Sequence, residues 1–534
     1  SHNNTMKQFT KLLTISAILG FSLSSQAEER VFTYTDSEGF PVYGAAMRVS
    51  PNGRYIVGAD EAEQTGSYII DTTNPENIIQ NNEGELYDVA DNGMAVGSWY
   101  NKVGYAKYLE AAVYKDGTWT TLPLPQEIIG QSIARAISAD GTLIAGQAMC
   151  ENSAPDEPGK YFPILWKLDP ATGEYVVKKL YNSLYLPGTL GFYVYDMSPD
   201  GKWVCGLHCL DFGGYISSIL NTETNLLIES NEIEYKEYTF EYTDPITGEK
   251  EEMTFDAMFV DGMLDGFDGY TECTGRFLYA TNDYIYGVRS IVHDVQPDFS
   301  ASITNYACIY DIATGEYIDG SKQYGYACGE GLNLQFTTDA RFVTDGIARS
   351  IATEFHVPSG INVGGVYCID RGNKVLCGSH VCTTALGEMI ESPLVIMLDN
   401  SLVAEVPCEG LAFNKSEVEL QLNYVMSLVA NPTPANTSEN VLYSSDNEAV
   451  ATVDEVGIVK GLSLGTANIT ATCGDYTATC KVVVVKESGI ETISTDIANG
   501  ENAYFNLQGV RVMNPENGVF IHVENGKATK VFVK

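Results

Sequence analysis

A chain of 534 residues is longer than one ordinary core, and the usual size of a domain divides it into roughly two to four units. With 44% hydrophobic against 19% charged residues it is not a disordered polymer. A formal charge of −39, from 70 acidic and 31 basic side chains, argues against a phosphate backbone or an anionic lipid surface as partner, so no nucleic acid is expected.

In chain order, Ser1 to Thr5 precede the first methionine and read as a scar or as upstream translation. Met6 to Ala27 then carries Lys7 and Lys11, an apolar stretch from Leu12 to Leu23, and Ser25-Gln26-Ala27. That order is the pattern of a secretory signal with cleavage after Ala27, and its apolar part is short for a bilayer span. No later apolar run is long enough for a membrane helix, so no transmembrane segment is expected once the signal is removed. The 12 cysteines of an exported chain suggest disulfides, but their spacing is not that of a small disulfide scaffold. Cys473 and Cys480 flank a two-residue Gly474-Asp475 turn, which sets Cys480 opposite Ile469, about 13 Å along the strand from Cys473, and so predicts no bridge between them.

From residue 28 to about residue 408 one phrase recurs: VSPNGRYIVG ending at Gly58, VADNGMAVG at Gly97, ISADGTLIAG at Gly146, MSPDGKWVCG at Gly206, ATNDYIYG at Gly287 and IDRGNKVLCG at Gly378. The phrase reads as an Asx-Gly turn entering a short apolar strand that stops at glycine. A second strand-and-turn phrase follows each copy: SYIIDTTN, EAAVYKDG, PILWKLDPATGEY, YISSILNTETN, YACIYDIATGEY and PLVIMLDN. Such units cannot bury their faces alone, and stacking them in a ring gives the blades of a β-propeller. The spacing of the closing glycines widens from 39 to 91 residues, and Thr337 to Gly346 (TTDARFVTDG) reads as one further, worn copy. The expectation is therefore roughly seven blades, with six or eight as alternatives, and with the first strand of the mature chain completing the last blade. Glu234 to Phe259, in which Tyr238, Phe240 and Tyr242 alternate with polar residues before a Pro245 to Gly248 turn, predicts a projecting hairpin. The stretch Tyr87 to Pro125 and the phrase ARAISADGTLIAG resemble the HAF-type extracellular repeat, which implies an exported repeat protein and no particular activity.

Residues 409–486 change character, to short alternating strands with Asn, Pro, Gly and Asp turns, the composition of a β-sandwich. Leu428, Pro432 to Pro434, YSSDNEAVATVD (Tyr443 to Asp454) and GIVKGLSLGTANITA (Gly457 to Ala471) resemble the group 2 bacterial immunoglobulin-like domain, which implies a module that often acts as a spacer; Cys480 reads as a core residue. A polar linker follows over residues 487–501. Residues 502–534 then give four short strand-like runs. Leu507-Gln508-Gly509, Gly518 to Ile521, Asn525-Gly526-Lys527 and Lys530 to Lys534 resemble the C-terminal sorting tail of type IX secretion cargo. That resemblance implies a small C-terminal β-sandwich, type IX machinery as a partner, and a place on the outer cell surface or outside the cell. The whole chain is thus expected to be all-β.

For chemistry, Cys205-Gly-Leu-His208-Cys209 and Cys377-Gly-Ser-His380-Val-Cys382 bring thiols and imidazoles together in sequence. On an extended strand Cys205 and Cys209 stand about 13 Å apart with His208 on the other face, so one ion cannot take all three, and no metal or cofactor is expected. Asp256, Asp261, Asp265 and Asp268 lack the order of a calcium loop. Ser198-Pro-Asp200-Gly201-Lys-Trp203 lacks the extra residue of a sialidase Asp-box, and no nucleophile elbow is present. Trp99, Tyr100, Tyr105 and Tyr108, crowded into one loop region, are the candidate ligand-binding side chains, since flat aromatic faces stack on sugar rings. The sequence thus reads as an extracellular, non-catalytic binding or adhesion protein for a glycan or a host protein. A secreted glycan-active propeller enzyme, hydrolase or lyase, is the alternative, and converging acids with shifted protonation at the central channel would be its mark.

Overall fold

A computed structural model describes residues 30–486 apart from the segments 60–65, 104–105, 127, 151–159, 182–188, 211–214, 230–232, 244–247, 249, 261–262, 266–275, 296–300, 320–333, 337–339, 345–346, 385–386, 403–405 and 435–436; beyond residue 486 it describes 503–505, 511–512, 518–524 and 527–533. The predicted signal with its cleavage point at Ala27, and the linker, lie outside the described residues. The described chain is almost wholly strand, and its α-helix is the single turn Ile351–Glu354. No helix among the described residues is long and apolar enough to cross a membrane.

Among the described residues, seven antiparallel blades form the first architecture. Blade 1 runs Ala45–Val49, Tyr55–Ala59, Ser67–Asp71, Ile78–Asn81, and blade 2 runs Gly84–Val89, Ala95–Val103, Ala106–Lys115, Thr118–Thr121. Blades 3 (Ile128–Leu180) and 4 (Thr189–Glu229) have the same four-strand order and touch through one parallel bridge, Tyr161 to Gly191. Blade 5 spans Arg276–Asp319. Blade 6 has three strands among the described residues, Leu334–Phe336, Arg341–Thr344 and Ile347–Ser350, so the worn copy is a blade. Blade 7 takes Asn362–Ile369, Val375–Thr383 and Met389–Met397 and borrows its outer strand, Arg30–Thr33, from the other end of the chain. A single apolar core then joins Ile56 and Ile70 of blade 1 to Tyr286 of blade 5, Phe342 of blade 6 and Leu376 of blade 7, which closes the ring.

The recurring phrase has a physical reading at each position. In Ser50-Pro-Asn52-Gly53 the serine hydroxyl donates to Asn52 Oδ1 at 2.7 Å and accepts from Tyr55 N at 3.0 Å, and Ser138 with Asp140 and Ser198 with Asp200 repeat the arrangement. The turn glycine adopts φ of +70° to +77° in blades 1 to 4, a region costly for any side chain. The turns are laced to one another around the ring. Arg371 N donates to Pro51 O (2.9 Å), Asn52 N to Asp91 Oδ1 (2.8 Å), Asp91 N to Ala139 O (3.0 Å), Ala139 N to Pro199 O (2.8 Å) and Asp200 N to Asn282 Oδ1 (2.9 Å). The closing glycines face the innermost strand just where that strand carries a bulge: Gly58 lies opposite Ala46, Gly97 opposite Leu86, Gly146 opposite Ala134, Gly206 opposite Val194 and Gly378 opposite Val366. A methyl group on any of the five would overlap a backbone carbonyl oxygen of that strand.

The expected hairpin forms from Ile233–Thr243 and Lys250–Val260, with a short third strand, Met263–Asp265. The sandwich packs Glu417–Gln421, Tyr476–Val485, Gly465–Cys473 and Leu442–Ser445 in one sheet and Val425–Ser427, Ile458–Gly461 and Ala451–Val453 in another. Val418, Leu428, Ile469, Cys480 and Val482 fill the space between them. Ile469 stands opposite Cys480, as the two-residue turn requires. The sandwich docks on the turn face of the ring. Val425 N donates to Pro170 O at 2.7 Å, Asn440 Nδ2 to Asn52 O at 3.3 Å and Ser427 Oγ to Asp140 Oδ2 at 3.4 Å, while Arg54 pairs with Glu455. The module expected as a spacer therefore lies against the turns of blades 1 and 3. Residues 485–534 form a separate unit, in which Ala503–Phe505, Arg511–Val512, Gly518–Glu524 and Lys527–Val533 make one four-stranded sheet around Phe505 and Val523.

Candidate functional site

The bulges of the innermost strands put one residue per blade at an equivalent inner position: Arg48, Asp88, Ala136, Asp196, Tyr279 and Cys368 in blades 1, 2, 3, 4, 5 and 7. Three of these are charged. Arg48 Nε lies 3.8 Å from Asp196 Oδ1, and its guanidinium stands 5.7 Å from the centre of the Tyr279 ring. Asp88 and Asp196 are 8% and 4% exposed, so neither carboxylate is solvated as on a surface. Their oxygens are held by backbone instead. Asp88 Oδ1 accepts from Val89 N and Oδ2 from Ile137 N, both at 2.8 Å, and Asp196 Oδ2 accepts from Ala280 N at 2.8 Å. Ile137 and Ala280 belong to the next blade in each case, so each carboxylate also ties two blades together.

Burial, and then the charge of Asp196, push Asp88 up to about 7, against the opposing pull of Arg48 and of the two backbone N–H groups. Asp196 is also raised, by burial, with Arg48 opposing. Two interacting carboxyls in a dry site, opposed by the charge of nearby arginines, titrate as a pair, and burial favours the protonated form. Around them, the Arg135 guanidinium lies 4.3 Å above the Tyr87 ring, and Glu85 accepts from both the Tyr87 and the Tyr100 hydroxyls, the second at 2.7 Å. A second feature lies at the strand ends opposite the docked sandwich. Asp36, Tyr43, Ser67, Gln80 and Asn82 line a polar cleft there, and Tyr43 is 43% exposed. An aromatic face beside amide and carboxylate groups is a lining that suits a sugar ring.

Among the aromatic residues singled out in the sequence, Tyr100 is 4% exposed with its hydroxyl on Glu85, so it is a support of the inner network and its face is not offered to a ligand. Trp99 is half-buried on the same strand. Tyr108 is placed only as a backbone position of Ala106–Lys115, and Tyr105 lies outside the described residues. Cys205 and Cys377 are buried at matching positions of blades 4 and 7, which accounts for the likeness of the two Cys-His phrases. Of the four acids considered for calcium, Asp256 and Asp265 are placed only as backbone positions of Lys250–Val260 and Met263–Asp265, and Asp261 and Asp268 lie outside the described residues. Sequence reading missed Arg48, Asp88 and Asp196. The signal was a charge two residues before the turn motif, in Arg48-Val-Ser-Pro-Asn-Gly, Asp88-Val-Ala-Asp-Asn-Gly and Asp196-Met-Ser-Pro-Asp-Gly, inside an otherwise apolar strand.

Comparison with known proteins gives the following. A 3-O-alpha-D-galactosyl-alpha-L-arabinofuranosidase of Bifidobacterium longum subsp. longum is 38% identical over 77 residues, 14% of this chain and 7% of that protein, so the chain spans a small fraction of that relative's length. Among solved structures, the chain is similar to an oligogalacturonate lyase in complex with manganese (11% identity, 69% of this chain and 96% of the other, TM-score 0.34). It is also similar to the β-propeller domain of the Trilobed protease from Pyrococcus furiosus, which has an open velcro topology (11% identity, 67% and 96%, TM-score 0.27). These are likenesses of fold. Enzymes are among the structures the chain is similar to, and the expectation that it is not an enzyme is withdrawn. The family shown is that of the sandwich: residues 408–484 match the bacterial Ig-like domain, group 2.

Proposed function

We propose that the protein is an extracellular glycan-active enzyme, with Asp88, Asp196 and Arg48 as its reacting groups. The observation that carries this reading is the pair of buried, protonation-shifted carboxyls on the inner strands of the ring, with Arg48 3.8 Å from one of them. Cleavage of a glycosidic bond needs a proton donor for the leaving oxygen and an ionised partner. Asp88, raised to about 7, is suited to the donor role, and Asp196, 3.8 Å from the Arg48 side chain, to the ionised one. The polar cleft with Tyr43 lies on the face that the sandwich leaves open and gives an approaching sugar chain a first foothold.

The test is a panel of plant, bacterial and host polysaccharides, read by release of reducing ends for hydrolysis and by absorbance of unsaturated products for elimination. Asp88→Asn and Asp196→Asn should each lower the rate about 100-fold or more, with folded protein verified by thermal denaturation. The rate of the parent should fall as pH rises through about 7, where the donor loses its proton. Parental rates in both variants, or no cleavage of any glycan, would refute the assignment.

Delivery is the second part of the proposal. Met6 to Ala27 directs export and residues 502–534 act as a type IX sorting tail that leaves the protein outside the cell. Deleting Asn502 to Lys534 should trap it in the periplasm, and unchanged surface display would remove the sorting role.

A further inference from the structure

Where the ring hands over to the sandwich, two thiols from distant parts of the chain meet. Cys408 lies in the irregular segment just before the strand Gly410–Phe413, and Cys473 is the last residue of the strand Gly465–Cys473, next to the Gly474-Asp475 turn. Their sulfur atoms and a carboxylate oxygen of Glu439 all lie within 4.8 Å of one another. Glu439 organises the meeting, for its Oε2 accepts from Cys408 N at 2.7 Å and its backbone oxygen accepts from the Cys473 thiol at 3.6 Å. Cys408 is 6% exposed and Cys473 is fully buried.

We propose that Cys408 and Cys473 form a disulfide that locks the segment entering the sandwich to the far end of one of its central strands. Modest side-chain rotation closes a sulfur separation of this size. The contrast with Cys368 and Cys377, which stand opposite each other in blade 7, is one of access: that pair is buried in the core of the ring, while Cys408 and Cys473 lie at element ends, where local opening is least costly. The oxidant is a small-molecule or protein disulfide. The Cys408 thiolate attacks it and releases one thiol, and the Cys473 thiolate then attacks the mixed disulfide and releases the second. The two cysteines lose two protons and two electrons, and the oxidant's sulfur–sulfur bond gains both. In the cell this rests on the export reading above, which supplies an oxidising compartment. The bond itself is testable apart from it.

The experiment equilibrates the purified full chain with glutathione buffers of increasing oxidised fraction, quenches with an alkylating reagent and maps peptides without reduction. The expected result is a linked Cys408–Cys473 peptide in the oxidised buffers and a melting midpoint at least about 5 °C above that of the reduced chain. Cys408→Ala and Cys473→Ser should each abolish both the link and the difference between oxidised and reduced samples. Two alkylated thiols after full oxidation would overturn the proposal. So would a glutathione adduct that persists on Cys408, or stoichiometric zinc that protects both thiols in the protein as isolated. A link that forms in glutathione while the protein isolated from its own cells retains both thiols would uphold the bond and refute the export reading alone.

Discussion

At the scale of single residues, Asp88 and Asp196 do two things at once. Each accepts backbone N–H groups that no ladder partner takes, and burial raises each above the ordinary carboxyl value, Asp88 to about 7. Asp88→Ala orphans Val89 N and Ile137 N together, and should lower stability by at least about 2 kcal/mol in urea denaturation. The proton makes a separate prediction. Asp88 and Asp91, the latter raised to about 6 mainly by burial, bind protons more tightly folded than unfolded. Unfolding therefore releases protons between the ordinary carboxyl value near 4 and these raised values, so stability falls as pH rises from about 4 to about 7. The Asp88→Asn variant should show a shallower fall over that window. A parallel fall in parent and variant would mean that Asp88 titrates normally.

At the scale of elements, the Asx-Gly turn and the glycine that closes the second strand were both legible in sequence, because each answers a local steric demand that only a few residues meet. Gly146→Ala should cost about 1–3 kcal/mol, since the new methyl must displace the Ile133 carbonyl; Gly360→Ala, with open space around it, should change stability by less than about 0.5 kcal/mol. Equal effects in thermal denaturation would remove the steric reading of the repeat. The second and third strands of each blade could be read because they are apolar on both faces, as Tyr55–Ala59 and Met389–Met397 largely are. The fourth strands could not: Ile78–Asn81 and Thr118–Thr121 lie on the rim, largely in solvent, and carry no clear pattern. The inner acids escaped notice for a related reason. A lone aspartate among 70 acidic residues looks like a solvated turn until the bulge that turns it inward is known.

At the scale of the whole molecule, sequence periodicity led to a ring of seven and to its closure by the first strand, because the widening spacings still left one uncounted copy at Arg341–Thr344. What it did not give was the docking of the sandwich, which depends on side chains such as Arg54 and Glu455, some 400 positions apart, that carry no local signature. Removing residues 1–35 should expose the edge Leu394–Met397 and lower the melting midpoint by at least about 5 °C, with concentration-dependent association through the bared strand. An unchanged melt would show that the ring holds without its clasp. The clasp also sets an order of events. The segment made first on the ribosome must wait for the segment that reaches Met397 before it finds its place, so the circle cannot shut while synthesis is under way, and a nascent chain arrested anywhere earlier is an open arc with one loose end.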